Sequence, residues 1–119
     1  MNKKILVIDD EEDVLKLLKM RLEGYHFDVI TAADGEEGLN KSAAEKPDLI
    51  IVDVMMPKMD GYTFAREMKA NPAVKDIPII VLTAKEGLKD LFEMEGVSDY
   101  ITKPYEVKDL LDKIHKNLK

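Results

Sequence analysis

The sequence predicts an α/β fold: a doubly wound, five-stranded parallel sheet in the order 2-1-3-4-5, with helices on both faces in three αβα layers. Three observations carry this. Short β-branched runs alternate with longer segments of helical period, the mark of repeated βαβ units. The runs at 4–9, 48–53 and 77–83 are almost wholly apolar, as strands covered on both faces must be, and so belong in the centre. Those at 28–32 and 99–103 mix polar with apolar residues and belong at the edges.

Each element follows from its own residues. The first strand runs from Lys4 to Asp9, and a helix follows over 11–23 with Val14, Leu15, Leu18 and Leu22 at helical spacing. Acids crowd its start (Glu11, Glu12, Asp13) and bases its later turns (Lys16, Lys19, Arg21), matching the helix dipole, and Gly24 stops it. After the strand at 28–32, Asp34 with Glu37 three residues on reads as a capping pair for a helix carrying Leu39 and Ala43, ended by Pro47. The strand at 48–53 leads through a loop to Asp60, which caps a third helix with Tyr62, Phe64, Ala65 and Met68; Asn71-Pro72 ends it. The fourth strand is 77–83, with Pro78 tolerable near its start. A fourth helix is expected over about 86–95, then the strand at 99–103. A last helix places Val107, Leu110, Leu111, Ile114 and Leu118 on one stripe.

Composition narrows the function. A chain of 119 residues, 45% hydrophobic and 35% charged, fits one soluble domain, residues 1–119, with no output domain attached. A net charge of −6 and the want of a Lys/Arg cluster interleaved with aromatics argue against direct nucleic-acid binding. No apolar run is long enough to span a bilayer, so no membrane partner is expected. Zero cysteines exclude disulfides, thiolate metal sites and cysteine nucleophiles, and fit a cytoplasmic protein.

The chemistry sits at strand ends. Asp9 and Asp10 close one apolar run and Asp53 another. In a parallel sheet the chain leaves every strand at the same edge, so these acids converge. Aspartates ending buried strands are costly without a cation, and oxygen ligands with neighbouring waters suit Mg²⁺. Thr83 and Lys103 end the fourth and fifth runs. The hydroxyl can donate to a phosphoryl oxygen, and the ammonium is a compact counter-charge for another. A carboxylate in such a setting can attack phosphorus and form an acyl phosphate.

At these residues a family resemblance emerges. Ile8-Asp9-Asp10-Glu11, the stretch Asp53-Val54-Met55-Met56-Pro57-Lys58-Met59-Asp60-Gly61, Leu82-Thr83-Ala84, and Asp99-Tyr100-Ile101-Thr102-Lys103-Pro104-Tyr105 resemble the receiver domains of bacterial two-component response regulators, in order along essentially the whole chain. The resemblance implies a flavodoxin-like (βα)5 fold and Asp53 as phosphoacceptor. It implies Mg²⁺ held by Asp9, Asp10, Asp53 and the Met55 carbonyl, and a phosphoryl group contacted by Lys103, Thr83 and the Ala84 backbone. Thr83 and Tyr100 would form a switch pair, and Lys103-Pro104 a cis junction. The expected donor is a sensor histidine kinase or a histidine phosphotransfer protein. The expected output is a protein target met on the face of the fourth helix, fifth strand and fifth helix, by a monomer or a phosphorylation-induced dimer. Such a chain is a signalling switch with weak self-phosphorylation and self-dephosphorylation, not an enzyme in the usual sense. Two departures from the family pattern stand out: the stretch between Thr83 and Lys103 is tight, and Gly96-Val97-Ser98-Asp99 replaces a Gly-Ala-Asp-Asp. Met55 and Lys85 fall at positions that tune phosphoryl lifetime in the family, with Lys85 expected to hang over the pocket.

Blander and rival readings weigh less. Asp9 and Asp10 as ordinary helix caps would leave Asp53 and Lys103 unexplained. Met55, Met56 and Met59 read as packing rather than a copper site, because the nearby carboxylates favour hard metals. His26 and His115 read as surface residues. An aspartate-nucleophile phosphatase would carry a second acid two residues after the first, where this chain has Met55. A flavin module of the same topology would need a phosphate-cradling loop after the first strand. A receiver-like binding module that is never phosphorylated has no use for the full set of Asp10, Asp53, Thr83 and Lys103.

Overall fold

A computed structural model describes residues 2–83 and 97–118. In chain order the elements are β1 (Lys4–Ile8), α1 (Glu12–Glu23), β2 (Asp28–Ala32), α2 (Gly35–Glu45), β3 (Leu49–Asp53), α3 (Gly61–Ala70), β4 (Ile79–Thr83), β5 (Asp99–Thr102) and α4 (Val107–Asn117). All pairings are parallel and the strand order is β2-β1-β3-β4-β5, as expected. The helix expected over 86–95 lies outside the described residues, so α4 here is the helix expected last.

The continuous apolar runs have a simple cause. Successive side chains of a strand point to opposite faces, so a strand covered on both sides must be apolar at every position. Leu6, Ile8, Ile50, Val52, Ile79 and Val81 feed one core with Phe64, Ala65 and Met68 of α3. Ile5, Val7, Leu49, Ile51, Ile80 and Leu82 feed the other with Leu15, Leu18 and Leu22 of α1 and Leu110 and Ile114 of α4. Each fully buried side chain contributes about 1.5–3 kcal/mol. The caps of α2 and α3, where Asp34 accepts from the Glu37 amide and Asp60 from the Thr63 amide, contribute about 1 kcal/mol each. Packing therefore dominates, and the caps set where the helices begin.

Several boundaries differ from expectation. β4 begins at Ile79, not Ile77, because Pro78 has no N–H and the Ile77 amide turns back to the Val74 carbonyl at 3.1 Å. β1 ends at Ile8 and β5 at Thr102, leaving Asp9 and Lys103 just past their strands. α2 buries Gly35, Gly38 and Ser42, while Ala43 is exposed and Leu39 only half-buried. A Cβ on Gly38 would lie 2.5 Å from Ile8 Cδ1, so the helix backbone itself rests on β1.

Two polar features frame the sheet. At its β5 side, Asp99 Oδ1 accepts from Lys113 Nζ at 3.0 Å and from the Tyr100 amide at 2.9 Å, and Oδ2 accepts from Asn117 Nδ2 at 3.3 Å. Burial alone would raise the Asp99 carboxyl, but these donors outweigh it and hold it below the usual range. At the site end, the loop after β3 returns so closely that a Cβ on Gly61 would sit 2.8 Å from the Asp53 carbonyl oxygen. Gly61→Ala should therefore displace the strand end. A loss of about 1–3 kcal/mol in thermal or denaturant unfolding is expected.

Candidate functional site

Register builds the site. Ile8 lies level with Val52 across the β1–β3 pairing, so the next residues, Asp9 and Asp53, become neighbours. Thr83 lies level with Thr102, and the Lys103 amide donates to the Thr83 carbonyl at 2.7 Å, which fixes where the lysine side chain starts. Carboxylate oxygens of Asp9, Asp10 and Asp53 fall within 4.8 Å of one another. Lys103 Nζ stands 3.3 Å from Asp53 Oδ1. Asp9, Asp53 and Thr83 are buried, and Asp10 is exposed.

Asp9 is the most perturbed of the acids. Oδ1 accepts the Glu11 amide at 2.8 Å, but Oδ2 is buried and has no hydrogen-bond partner among the described residues. Its pKa is pushed up from 3.8 to about 6, chiefly by burial and further by the charges of Asp53 and Asp10, against the Glu11 amide and Lys103. A buried, orphaned carboxylate oxygen within reach of two other carboxylates is what a divalent cation relieves, and hard oxygen donors fit Mg²⁺. Lys103 offsets only part of the negative charge, because it bonds Asp53 and not Asp9.

The expected site residues fall as follows. Asp9, Asp10, Asp53, Thr83 and Lys103 come together at the carboxyl edge of the sheet. The Lys103–Pro104 bond is cis. Met55 follows Asp53 in the β3–α3 loop with its side chain 63% exposed. Met56 is buried and Met59 packs on the core, in keeping with packing rather than copper chemistry. Tyr100 is half-buried against the core, with Lys113 Nζ 5.7 Å from its ring centroid. Ala84 and Lys85 lie outside the described residues. His26 and His115 are exposed.

Two contributors were not foreseen. From sequence Gly61 is only the end of the family-like stretch 53–61, whereas its want of a side chain is what lets the loop close on Asp53. Tyr105 has its hydroxyl pKa raised by burial and by the charges of Asp9 and Asp53, against Arg21. With Val14, Leu18, Arg21, Lys103 and Pro104 it lines an apolar groove of about 640 Å³ between α1 and the start of α4, beside the acids.

Comparison with known proteins agrees with this geometry. The sequence pattern of the response regulator receiver domain matches residues 5–115. The chain is 47% identical over 112 residues to the alkaline phosphatase synthesis transcriptional regulatory protein PhoP of Bacillus subtilis, covering 92% of this chain and 46% of that one. It thus spans about half the length of the first curated relatives it matches. Among solved structures, the chemotaxis protein CheY4 of Vibrio cholerae superposes with a TM-score of 0.93 at 30% identity, over 99% of this chain and all of that one. The receiver domain of sensor histidine kinase PA1611 from Pseudomonas aeruginosa, solved with a magnesium ion coordinated in its active-site cleft, gives 0.89 at 26% identity, over 98% of each chain. The acids at the strand ends, the sheet order and the match along the chain have one common explanation: this chain belongs to the family of response regulator receiver domains.

Proposed function

We propose that the chain accepts a phosphoryl group on Asp53 from a phosphohistidine and relays that event as a change at its surface. The observation that carries this is the pairing of Asp53 Oδ1 with Lys103 Nζ at 3.3 Å inside the acid cluster. In the proposed reaction an Asp53 carboxylate oxygen attacks phosphorus as the P–N bond to the donor imidazole breaks, and the acyl phosphate forms with no net redox change. Lys103 takes up charge on the phosphoryl oxygens, and the Thr83 hydroxyl, buried at the end of β4, is the proposed second contact. Asp9, Asp10, Asp53 and the Met55 carbonyl would hold Mg²⁺, which supplies charge neutralisation and alignment when bound.

The groove lined by Val14, Leu18, Pro104 and Tyr105 opens beside Lys103, and it suits a donor protein that must bring a histidine side chain to Asp53. The donor class is a sensor histidine kinase or a histidine phosphotransfer protein, and the target is a protein met near β5 and α4. Such a chain would be a switch with weak self-phosphorylation and self-dephosphorylation, working in the cytoplasm as a monomer or a phosphorylation-induced dimer. Met55 favours the switch over a hydrolase: its exposed thioether has no proton to give a leaving group. Thr83 and Tyr100 are the proposed coupling pair.

Lys103→Ala tests the reading. It should leave Mg²⁺ affinity within a few-fold of the parent and weaken the beryllofluoride response roughly tenfold or more, since a charge-assisted contact is lost. Amide NMR shifts of residues 97–102 provide the readout. A parental response in this variant would remove Lys103 from the mechanism.

A further inference from the structure

The outer edge of β2 is closed by three side chains, and the way they are held has no bearing on phosphoryl chemistry. The Asp28 amide bonds the Lys3 carbonyl, and the Ala32 carbonyl accepts from the Asp9 amide, so residues 28 and 32 face β1. The alternation of the ladder then turns the backbone N–H and C=O groups of residues 29, 31 and 33 outward. Lys19 Nζ, from α1, donates to the Val29 carbonyl at 3.0 Å. Lys41 Nζ, from α2 on the opposite face of the sheet, donates to the Thr31 carbonyl. Glu37 Oε2 accepts from the Ala33 amide at 3.4 Å. Each lysine is itself anchored on its own helix, Lys19 to Glu23 at 3.0 Å and Lys41 to Glu37 at 3.2 Å.

We infer that Lys19 and Lys41, steadied by Glu23 and Glu37, seal this edge against strand addition by a second copy of the chain. The outward carbonyls of an edge strand are a template for pairing. β2 is a free end of the sheet, so pairing through it would join two sheets into one. Two ammonium groups from opposite faces occupy both outward carbonyls of the strand, and an incoming backbone would have to displace them and bury their charge. The lysines do not reach the acid cluster, so their loss leaves Asp53 chemistry in place.

The test is the double variant Lys19→Met, Lys41→Met, which keeps the aliphatic stems and removes the donors. Lys19→Arg, Lys41→Arg serves as the donor-retaining control and Lys16→Met as the surface control. Sedimentation equilibrium without phosphodonor should show self-association at least tenfold tighter in the methionine pair than in the parent. Hydrogen exchange should show the Val29 and Thr31 amides newly protected in the associated form. Both controls should behave as the parent. Unchanged association in the folded methionine pair, or association without protection at residues 29 and 31, overturns the inference. Circular dichroism reports whether that pair is folded; if it is not, the single Lys41→Met decides by the same two readouts.

Discussion

Asp53→Asn should end phosphoryl incorporation: with Mg²⁺ and acetyl phosphate, intact mass should show no adduct, a fall of roughly 10³-fold or more in rate. The amide oxygen is a far poorer nucleophile than a carboxylate, and removing a nucleophile generally costs that much. The variant should still fold. It removes a negative charge beside Asp9 and, with it, the ion pair to Lys103; these effects oppose each other, so the metal-free protein should keep parental stability to within about 1 kcal/mol. Loss of labelling with an unchanged melt separates a missing acceptor from a damaged site. Parental labelling in Asp53→Asn would transfer the role to another acid of the cluster.

Asp9→Asn should stabilise the metal-free protein near neutral pH by up to roughly 3 kcal/mol and abolish most of its stabilisation by Mg²⁺. The folded-state pKa of Asp9, about 6, lies above its ordinary 3.8. The folded state therefore holds the proton more tightly than the unfolded chain. As pH rises from about 4 to about 6 the metal-free protein loses stability through this group, and the loss is complete above that window. Asparagine does not titrate, and its carbonyl can still accept the Glu11 amide, so the pH slope from this position should vanish. Saturating Mg²⁺ should offset the penalty in the parent, since a ligand at about 100 times its Kd adds about 2.7 kcal/mol. Denaturant unfolding across pH, with and without Mg²⁺, measures all of this. A parental pH slope in Asp9→Asn, or equal Mg²⁺ stabilisation in both proteins, would contradict the account.

What was legible in the sequence was whatever burial had to declare. Apolar runs ending in aspartate placed β1 and β3 and two of the acids, because a strand covered on both faces cannot hide its composition. Sheet order followed from which runs were mixed. The face of α2 was legible only in part: Leu39 packs against the core, but Gly38 and Ser42, which are buried, carry no apolar signal. Close approach to Ile8 selects the small glycine, and Ser42 satisfies its own hydroxyl on the Gly38 carbonyl at 2.7 Å. Nothing local in the sequence says which of the neighbours Asp9 and Asp10 is buried; the fold makes Asp9 buried and Asp10 exposed. The roles of Lys19, read only as a base matching the helix dipole, and of Lys41 were not legible, since nothing local says that an edge strand runs within reach of their stems. The helix expected over about 86–95 rests on few apolar positions, and it lies outside the described residues.

Asp99 has a consequence for how the last helix is fastened. In its middle α4 is glued by Leu110 and Ile114, a bond indifferent to ions. Towards its end it is pinned to β5 by one carboxylate shared among Lys113, Asn117 and the strand's own backbone. The helix thus has a greased pivot and an ionic clasp. The carboxyl is held below the ordinary range, so the clasp's contribution survives mild acid and is shed only as pH falls through that lowered value. Salt or a competing cation can slacken it while the pivot stays seated.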